Sequence, residues 1–380
     1  MAEKTVEDLS KRLKKVSKSF KSLDDPEFVR SGSVVLDALL GGGIPKGMFI
    51  LWSAANGCGK STAALHVSRS YCIQGKHVLY LDYEGGVNKS QIDGIGLTPF
   101  VYNEDKNPEG TFHIYQVKTY KDGETILDEL LEDMDLVIID SVTAIITEKQ
   151  STSSAEDVLP GIDARVQSVF LKKYKADSVR NGTSWIIINQ MRTKIAMGYG
   201  QVTHDEGSGG NALKHTVDVR MFSKKKYKGD LTRKENTANG EQEVPFGAIC
   251  ETYTEKNRYA RPMIPLDLAI IFGVGISNDF AYEAWLENNG NVKKSGSWYE
   301  IKLGSHNEKM QGLNRVVQWV NENKEEVRDF INANGGYRLL IDDASTNVNI
   351  GGSSNSEEVD EVYSTEEALG EFESIDEDEE

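Results

Sequence analysis

The chain has 380 residues, 38% of them hydrophobic and 27% charged, with a formal net charge of −17. That length can bury one large core with appendages, and no apolar run approaches the roughly eighteen residues that a membrane span needs. The acidity is local: 357–380 holds thirteen Asp and Glu and no Lys or Arg, which leaves −4 on the remainder. A polyanionic partner is therefore not excluded by charge.

From the amino end, Val6, Leu9, Leu13, Val16 and Phe20 recur at spacings of 3, 4, 3 and 4. Asp8, Ser10, Lys11, Arg12, Lys14 and Lys15 fill the opposite face. This pattern predicts an amphipathic helix. It has no partner within its own segment, so it docks on the core or on a neighbouring subunit. The start, Met-Ala-Glu-Lys, is charged at once and carries no secretory signal. Cys58, Cys72 and Cys250 have no zinc or redox spacing, so a reducing cytoplasm is the expected location.

Phe49-Ile50-Leu51-Trp52 reads as a strand, and Ala63–Cys72 as a helix. Between them lies Ser53-Ala54-Ala55-Asn56-Gly57-Cys58-Gly59-Lys60-Ser61-Thr62. Strand, Gly-rich loop, Gly-Lys-Ser and helix are the parts of a P-loop. Backbone N–H groups from Asn56 to Thr62, at the start of the helix, would cradle phosphates. Lys60 would reach the β- and γ-phosphates and Ser61 would ligate Mg²⁺. The pattern GxxxxGK[ST] expects Gly where this chain has Ala54. Cys58 reads as the filler of a small-residue slot.

Two further strands end in carboxylates. Val78-Leu79-Tyr80-Leu81-Asp82 leads to Tyr83 and then Glu84-Gly85-Gly86. Glu84, just past a strand end, could deprotonate a water attacking a γ-phosphate; a solvated loop glutamate is the plain alternative. Leu136-Val137-Ile138-Ile139-Asp140 is an apolar strand whose terminal Asp140 suits a metal-orienting role.

A fourth buried strand, Trp185–Ile188, runs into Asn189, Gln190, Met191, Arg192, Thr193 and Lys194. About fifteen Gly-rich and polar residues follow, a loop length that is usually functional or disordered. In open α/β sheets ligands sit beyond the carboxyl strand ends. Arg192, Lys194 and Tyr199 suit an element that engages a polyanion and stacks on a base. Gly209-Gly210-Asn211 opens the next segment.

These motifs together resemble those of RecA-type homologous recombinases, from about Val29 to Asn332. Ser31-Gly32-Ser33 with Leu36-Asp37 and Gly43-Ile44-Pro45-Lys46-Gly47 resembles the family's entry to its ATPase core. Asp82-x-Glu84 resembles the catalytic-glutamate segment and Asp140-Ser141-Val142-Thr143-Ala144 the second nucleotide motif. Ile188–Ile195 and Gly209-Gly210-Asn211-Ala212-Leu213-Lys214 resemble the mobile DNA-binding loop and its boundary, so Arg192, Lys194, Ile195, Tyr199, Gly209, Gly210 and Asn211 are expected DNA contacts. Lys256-Asn257-Arg258 and Gly296-Ser297-Trp298-Tyr299 match two more elements. Departures at Ala54, Arg258, His215, Asn88 and Gln91 leave base preference open and fit a bacteriophage-encoded or otherwise divergent member.

The resemblance implies an α/β fold: a P-loop ATPase core with a mainly parallel central sheet over 29–272, an N-terminal oligomerisation helix and linker over 1–28, and a small α/β C-terminal domain over 273–335. It implies ATP and Mg²⁺ as cofactors. It also implies single- and double-stranded DNA, a helical homo-oligomeric filament, and single-strand-binding and loader proteins as partners. Lys256 and Arg258 would reach a neighbour's γ-phosphate, Gln190 would report nucleotide state to the loop, and a first DNA loop would lie at about 152–162 with Arg165 just after it. A hexameric helicase or clock-type ATPase of the same core, or a recombination mediator, is the alternative.

In the C-terminal part, Asp279–Asn288 and Gln311–Asn332 each read as one helix. Lys293, Lys294, Lys302, Lys309 and Arg315 make a basic surface fit to gather duplex DNA through phosphates. Residues 336–380 are a linker, including Gly351-Gly352-Ser353-Ser354-Asn355, and an acidic tail. The tail has too little to bury to fold and reads as a competitor for basic surfaces, the alternative being a solubilising end.

Overall fold

The computed structural model describes residues 27–103, 109–148, 151, 162–191, 210–237, 240–334 and 336. The expected helix over 6–20, all but Ile162 of the first DNA loop expected at about 152–162, the segment 192–209 and the tail lie outside the described residues.

A short antiparallel pair, β1 (Phe28–Val29) and β2 (Ile44–Pro45), leads into the main sheet. That sheet comprises β3 (Phe49–Ala54), β4 (His77–Asp82), β5 (Thr111–Gln116), β6 (Leu136–Asp140), β7 (Ser184–Gln190), β8 (Val219–Thr237), β9 (Gly240–Lys256), β10 (Leu266–Ile271) and β11 (Gly275–Ser277). Their order is β11-β10-β9-β8-β3-β7-β6-β4-β5. The strands from β8 to β5 in that order pair in parallel, and β9, β10 and β11 extend the sheet antiparallel.

The parallel strands read as unbroken apolar runs because both faces are covered. Their side chains alternate between two cores. Ile50, Trp52, Tyr80, Ile138 and Ile188 pack with Leu65, Val67 and Tyr71 of the helix Lys60–Ile73. Phe49, Leu51, Leu79, Val137 and Ile187 pack with Phe170, Leu171 and Tyr174 of the helix Ile162–Asn181. Leu65 is fully buried, and truncating such a residue to Ala costs about 2–5 kcal/mol. The two cores clamp the sheet, so its carboxyl edge is a fixed platform: Ala54 is in register with Gln190 and Ser223, and Asp82 with Asp140.

β8 and β9 form a long hairpin that the apolar pattern does not announce. Register shifts between Lys225 and Asp230, and between Leu231 and Thr232, divide it. Its outer half is held chiefly by backbone pairing, and Thr237 opposes Gly240 at the tip.

After β11 comes a three-stranded antiparallel sheet, β12 (Val292–Ser295), β13 (Trp298–Leu303) and β14 (His306–Gln311). The helix Asp279–Asn288 has the expected bounds. The expected single helix over Gln311–Asn332 is instead the end of β14 followed by two helices, Leu313–Glu322 and Lys324–Ala333. Asn323 breaks the pair: both its backbone N–H and its side-chain Nδ2 donate to the Trp319 carbonyl, closing the first helix. The turn brings Val316, Trp319 and Val320 to one core with Val327 and Ile331, against Tyr282, Trp285 and Ile301. Leu231, Ala269, Ile271, Phe280 and Val317 join this unit to the main sheet.

Candidate functional site

The carboxyl edge gathers the groups expected to meet a nucleotide. β3 ends at Ala54, whose side chain is buried against Cys58 and Cys250, so the missing glycine is accommodated as strand and not as loop. The loop turns through Gly57 (φ 78°) and Gly59 (φ 65°). A Cβ at Gly59 would come within 2.7 Å of Ile270, so this position requires glycine twice over, by conformation and by space. Asn56 and Gly57 are exposed, Cys58 is buried, and Ser61 and Thr62 are half-buried at the start of the helix.

Lys60 folds back over the loop. Its Nζ donates to the carbonyls of Ala54 at 3.1 Å and Ala55 at 2.9 Å. Burial lowers its pKa, and the charges of Asp140 and Glu84 oppose that shift. The ammonium thus has neutral partners only, which an incoming anion can replace.

Asp140 is buried, and its Oδ2 accepts a 2.6 Å hydrogen bond from the Tyr80 hydroxyl. Burial raises its pKa, while hydrogen bonds from Ser61 and Tyr80 lower it. The Ser61 hydroxyl, at the start of the helix, thus acts on the Asp140 carboxyl. Among the described residues no cluster of three or more His, Cys, Asp and Glu side chains could hold a metal alone. A hydroxyl beside a single carboxylate instead fits Mg²⁺, which usually takes one or two protein oxygens and completes its shell with water and phosphate.

Glu84 is exposed and fixed from three sides. Its Oε1 accepts from the Ser141 hydroxyl and from the Gln190 amide. Its backbone N–H donates to the Asp140 carbonyl at 3.3 Å. The third constraint is Asp82, which sequence reasoning treated only as a strand end. Its Oδ1 accepts from the N–H groups of Glu84 (3.1 Å), Gly85 (2.8 Å) and Gly86 (3.4 Å), and its Oδ2 from Val87 (3.1 Å). Asp82 is buried, so this carboxylate shapes the turn that carries Glu84. A strand-terminal Asp two residues before Glu-Gly-Gly was the available signal.

Gln190 closes the group. It ends β7 in register with Ala54, and the next N–H, of Met191, donates to the Ala54 carbonyl at 3.1 Å. The residue thus joins the strand feeding the phosphate loop, the Glu84 carboxylate and the start of the segment from Arg192.

Lys256 and Arg258 are not brought to this edge. They lie at the amino edge, where Arg220 opposes Lys256 and Phe49 N–H donates to Asp218 Oδ2 at 2.9 Å. The length of β3, about 16 Å at 3.3 Å per residue, separates the two edges. Lys256 Nζ donates to the Val217 carbonyl at 2.6 Å, and Arg258 approaches Asp218 at 3.6 Å. Asp218 also holds Lys175, whose pKa burial lowers and Asp218 raises.

Arg165 is exposed on the helix Ile162–Asn181. Gly210 and Asn211 begin the helix Gly210–Thr216. Arg192, Lys194, Ile195, Tyr199 and Gly209 lie outside the described residues. One basic segment escaped sequence reasoning: Lys224, Lys225, Lys226 and Lys228 flank Tyr227, 89% exposed, where β8 bulges just beyond the carboxyl edge. Four lysines around one aromatic were a legible signal. In the C-terminal sheet, exposed Trp298 on β13 has Lys309 Nζ of β14 5.5 Å from its ring, and β13 also carries exposed Lys302.

Comparison with known proteins gives these positions a context. The model of the RecA N-terminal domain matches residues 9–277. The chain belongs to the RecA family. It is 29% identical over 300 residues to Protein RecA of Arthrospira platensis, covering 78% of this chain and 75% of that protein. It is likewise 29% identical over 321 residues to Protein RecA of Bifidobacterium breve, covering 82% and 74%. The crystal structure of the RadB recombinase aligns with 66% of this chain and 98% of its own, at 19% identity and a TM-score of 0.46. Membership of the RecA family supports a recombinase role and nucleotide dependence. No helix among the described residues is long and apolar enough to cross a membrane.

Proposed function

We propose that this chain is a DNA-dependent ATPase that assembles as a helical filament on single-stranded DNA and carries out homologous pairing and strand exchange. The observation that carries this reading is the junction at Gln190, which bonds Glu84 on one side and launches Arg192 and its loop on the other.

In this mechanism Lys60 and the backbone of Asn56–Thr62 would hold the phosphates of ATP, and Ser61 and Asp140 would hold Mg²⁺, which would supply positive charge to the transferred phosphoryl group. Glu84 takes the proton of the attacking water. Ser141 and Gln190 hold the carboxylate in place, and the Asp82 turn sets its backbone. When Gln190 turns from Glu84 toward phosphate, its change of partner at the anchored strand end biases the segment that begins at Arg192. Lys256 and Arg258 sit far from Lys60 of their own subunit, which suits a role completed across a subunit interface, with the segment 1–28 joining neighbours. Arg165, Arg192, Lys194, Ile195, Tyr199 and the Gly209–Asn211 boundary are the proposed contacts to single-stranded DNA. The Lys224–Lys228 bulge and the Trp298 face add basic and aromatic surface for a second strand or a duplex. Single-strand-binding and loader proteins, the acidic tail and a cytoplasmic setting complete the proposal.

Electron microscopy with ATP and single-stranded DNA tests it, together with ATPase assays with and without DNA. Open helical filaments and DNA-stimulated turnover are expected. Closed rings would replace this reading with that of a hexameric motor.

A further inference from the structure

Cys58 does more than fill a small slot, because the fold sets it against a second thiol. Cys58 is 2% exposed and Cys250, on β9, is fully buried; with Ala54 they form a small cluster behind the phosphate loop. Cys250 Sγ lies 3.8 Å from the Cys58 carbonyl oxygen, in the same small buried cluster. Since 192 positions separate them, no spacing rule reveals the pair.

The two sulfurs differ in character. The Cys250 thiol donates toward Cys58 and lowers its pKa; burial opposes this, and the Lys225 backbone N–H with the Lys60 and Lys225 charges lowers it further. The same contact and burial push Cys250 up. The thiolate is the reactive form, so Cys58 is the attacking sulfur and Cys250 the resolving one.

We propose that Cys58 and Cys250 are an oxidisable pair whose disulfide shuts the phosphate loop to nucleotide. A peroxide is the oxidant by chemical class. Cys58 attacks one peroxide oxygen, giving a sulfenic acid and, from hydrogen peroxide, one water. The Cys250 sulfur then displaces the sulfenic oxygen, which leaves as a second water carrying the Cys250 proton. Two thiols have lost two electrons and the peroxide has gained them.

Closure follows from where the loop can yield. A disulfide holds its sulfurs about 2.05 Å apart, well inside non-bonded contact, so Cys58 is drawn toward β9. Gly59 cannot follow freely, since it is packed against Ile270. A Cβ at Gly57 would meet no atom within 4 Å, so the displacement falls on Asn56–Cys58. Their N–H groups are the proposed phosphate cradle, and in this respect the inference rests on the nucleotide-site reading. Misplacing positioned groups by about 1 Å can cost about 10²-fold, and a loss of about tenfold to a hundredfold in ATP affinity is expected.

The full chain carrying Cys72→Ala retains only this pair and is the protein to test; the unmodified chain serves if that variant misfolds. It is treated with hydrogen peroxide, and the thiols are counted. Peptides are mapped by mass, and binding of a fluorescent ATP analogue is measured before oxidation, after it, and after dithiothreitol. The expected result is a Cys58–Cys250 linked peptide lighter by two hydrogens, weakened binding, and recovery on reduction. Adding Cys250→Ala should preserve binding after brief peroxide treatment. Two free thiols after oxidation, an intermolecular link, a disulfide with unchanged affinity, or equal loss in the Cys250→Ala chain would each overturn the pair. Failure to bind the analogue before oxidation would instead count against the nucleotide reading, and the linked peptide would still decide whether the disulfide forms.

Discussion

The two edges of the parallel sheet treat charge in opposite ways. At the carboxyl edge, among the described residues expected to meet a nucleotide, no cation meets a carboxylate in a direct ion pair: Lys60 rests on carbonyls, Asp140 on a hydroxyl, and Glu84 on a hydroxyl and an amide. At the amino edge Asp218 binds Lys175 and approaches Arg258 directly. Neutral partners are exchanged at little cost when an ion arrives, whereas a desolvated pair must be broken. The first edge is thus arranged for ligand turnover. The second combines a lock, Asp218 with Lys175, and an exposed cation, Arg258.

The largest expected effects lie at the carboxyl edge. Lys60→Ala should abolish ATP-supported function. Glu84→Gln should still bind nucleotide yet lose about 10² to 10⁴ in hydrolysis, the range that a positioned general base contributes. Steady-state turnover beside equilibrium binding separates the two, and a Glu84→Gln enzyme at the parent rate would assign the base elsewhere.

Next comes the lock. Removing one partner of a buried pair costs about 3–5 kcal/mol, but the Lys175 side chain is 25% exposed and water recovers part of that, so Asp218→Ala should destabilise by about 2 kcal/mol. Arg258→Ala, at a side chain 62% exposed, should change stability by less than about 0.5 kcal/mol. Denaturant midpoints for both variants check this. Equal midpoints would dissolve the distinction between lock and exposed cation.

A smaller effect is expected at Asp82. An amide at this position can accept from one side only, so Asp82→Asn leaves an N–H of the Glu84–Val87 turn without its acceptor. Losing one hydrogen bond to a charged group, about 1.5 kcal/mol, corresponds to about tenfold in kcat. KM should stay unchanged, because Asp82 shapes the turn under the base and not the phosphate loop. A rise in KM with normal kcat would remove Asp82 from that role.

How much of this was legible follows from what holds each part. The apolar runs at Phe49, Val78, Leu136 and Trp185 declare buried strands; the phosphate-loop motif then points to Lys60 and Ser61, strand ends to Glu84 and Asp140, and the family resemblance to Gln190. The β8–β9 hairpin was illegible because no apolar alternation runs through its Lys-rich bulge at 224–228 or its polar outer half. The break at Asn323 was hidden because no Gly or Pro marks it and apolar spacing continues on both sides. Asp82 looked like a second strand-end carboxylate because its bonds run to backbone N–H groups just downstream. Asp218 met Lys175 and Arg258 only through the fold.

The smallest direct effect, and the most informative, belongs to Gln190. Its amide bonds Glu84, and Ala54 accepts from the following N–H, so the side chain can change partner while the strand end stays anchored. If phosphate draws the amide away from Glu84, the start of the DNA loop is biased, a population shift driven by differential contacts. Linkage makes the coupling reciprocal: DNA tightens nucleotide binding by the factor with which nucleotide tightens DNA binding. Gln190→Ala leaves Lys60, Ser61 and Asp140 untouched, so nucleotide affinity without DNA should change by less than about twofold, within the 0.5 kcal/mol of an ordinary surface substitution. The increment that single-stranded DNA adds should vanish, in affinity and in turnover alike. The two titrations, each with and without DNA, form a closed cycle that exposes any inconsistency. Full DNA stimulation in Gln190→Ala would reduce the residue to a strand-end cap and move the coupling to Ser141, the other group bonded to the Glu84 carboxylate.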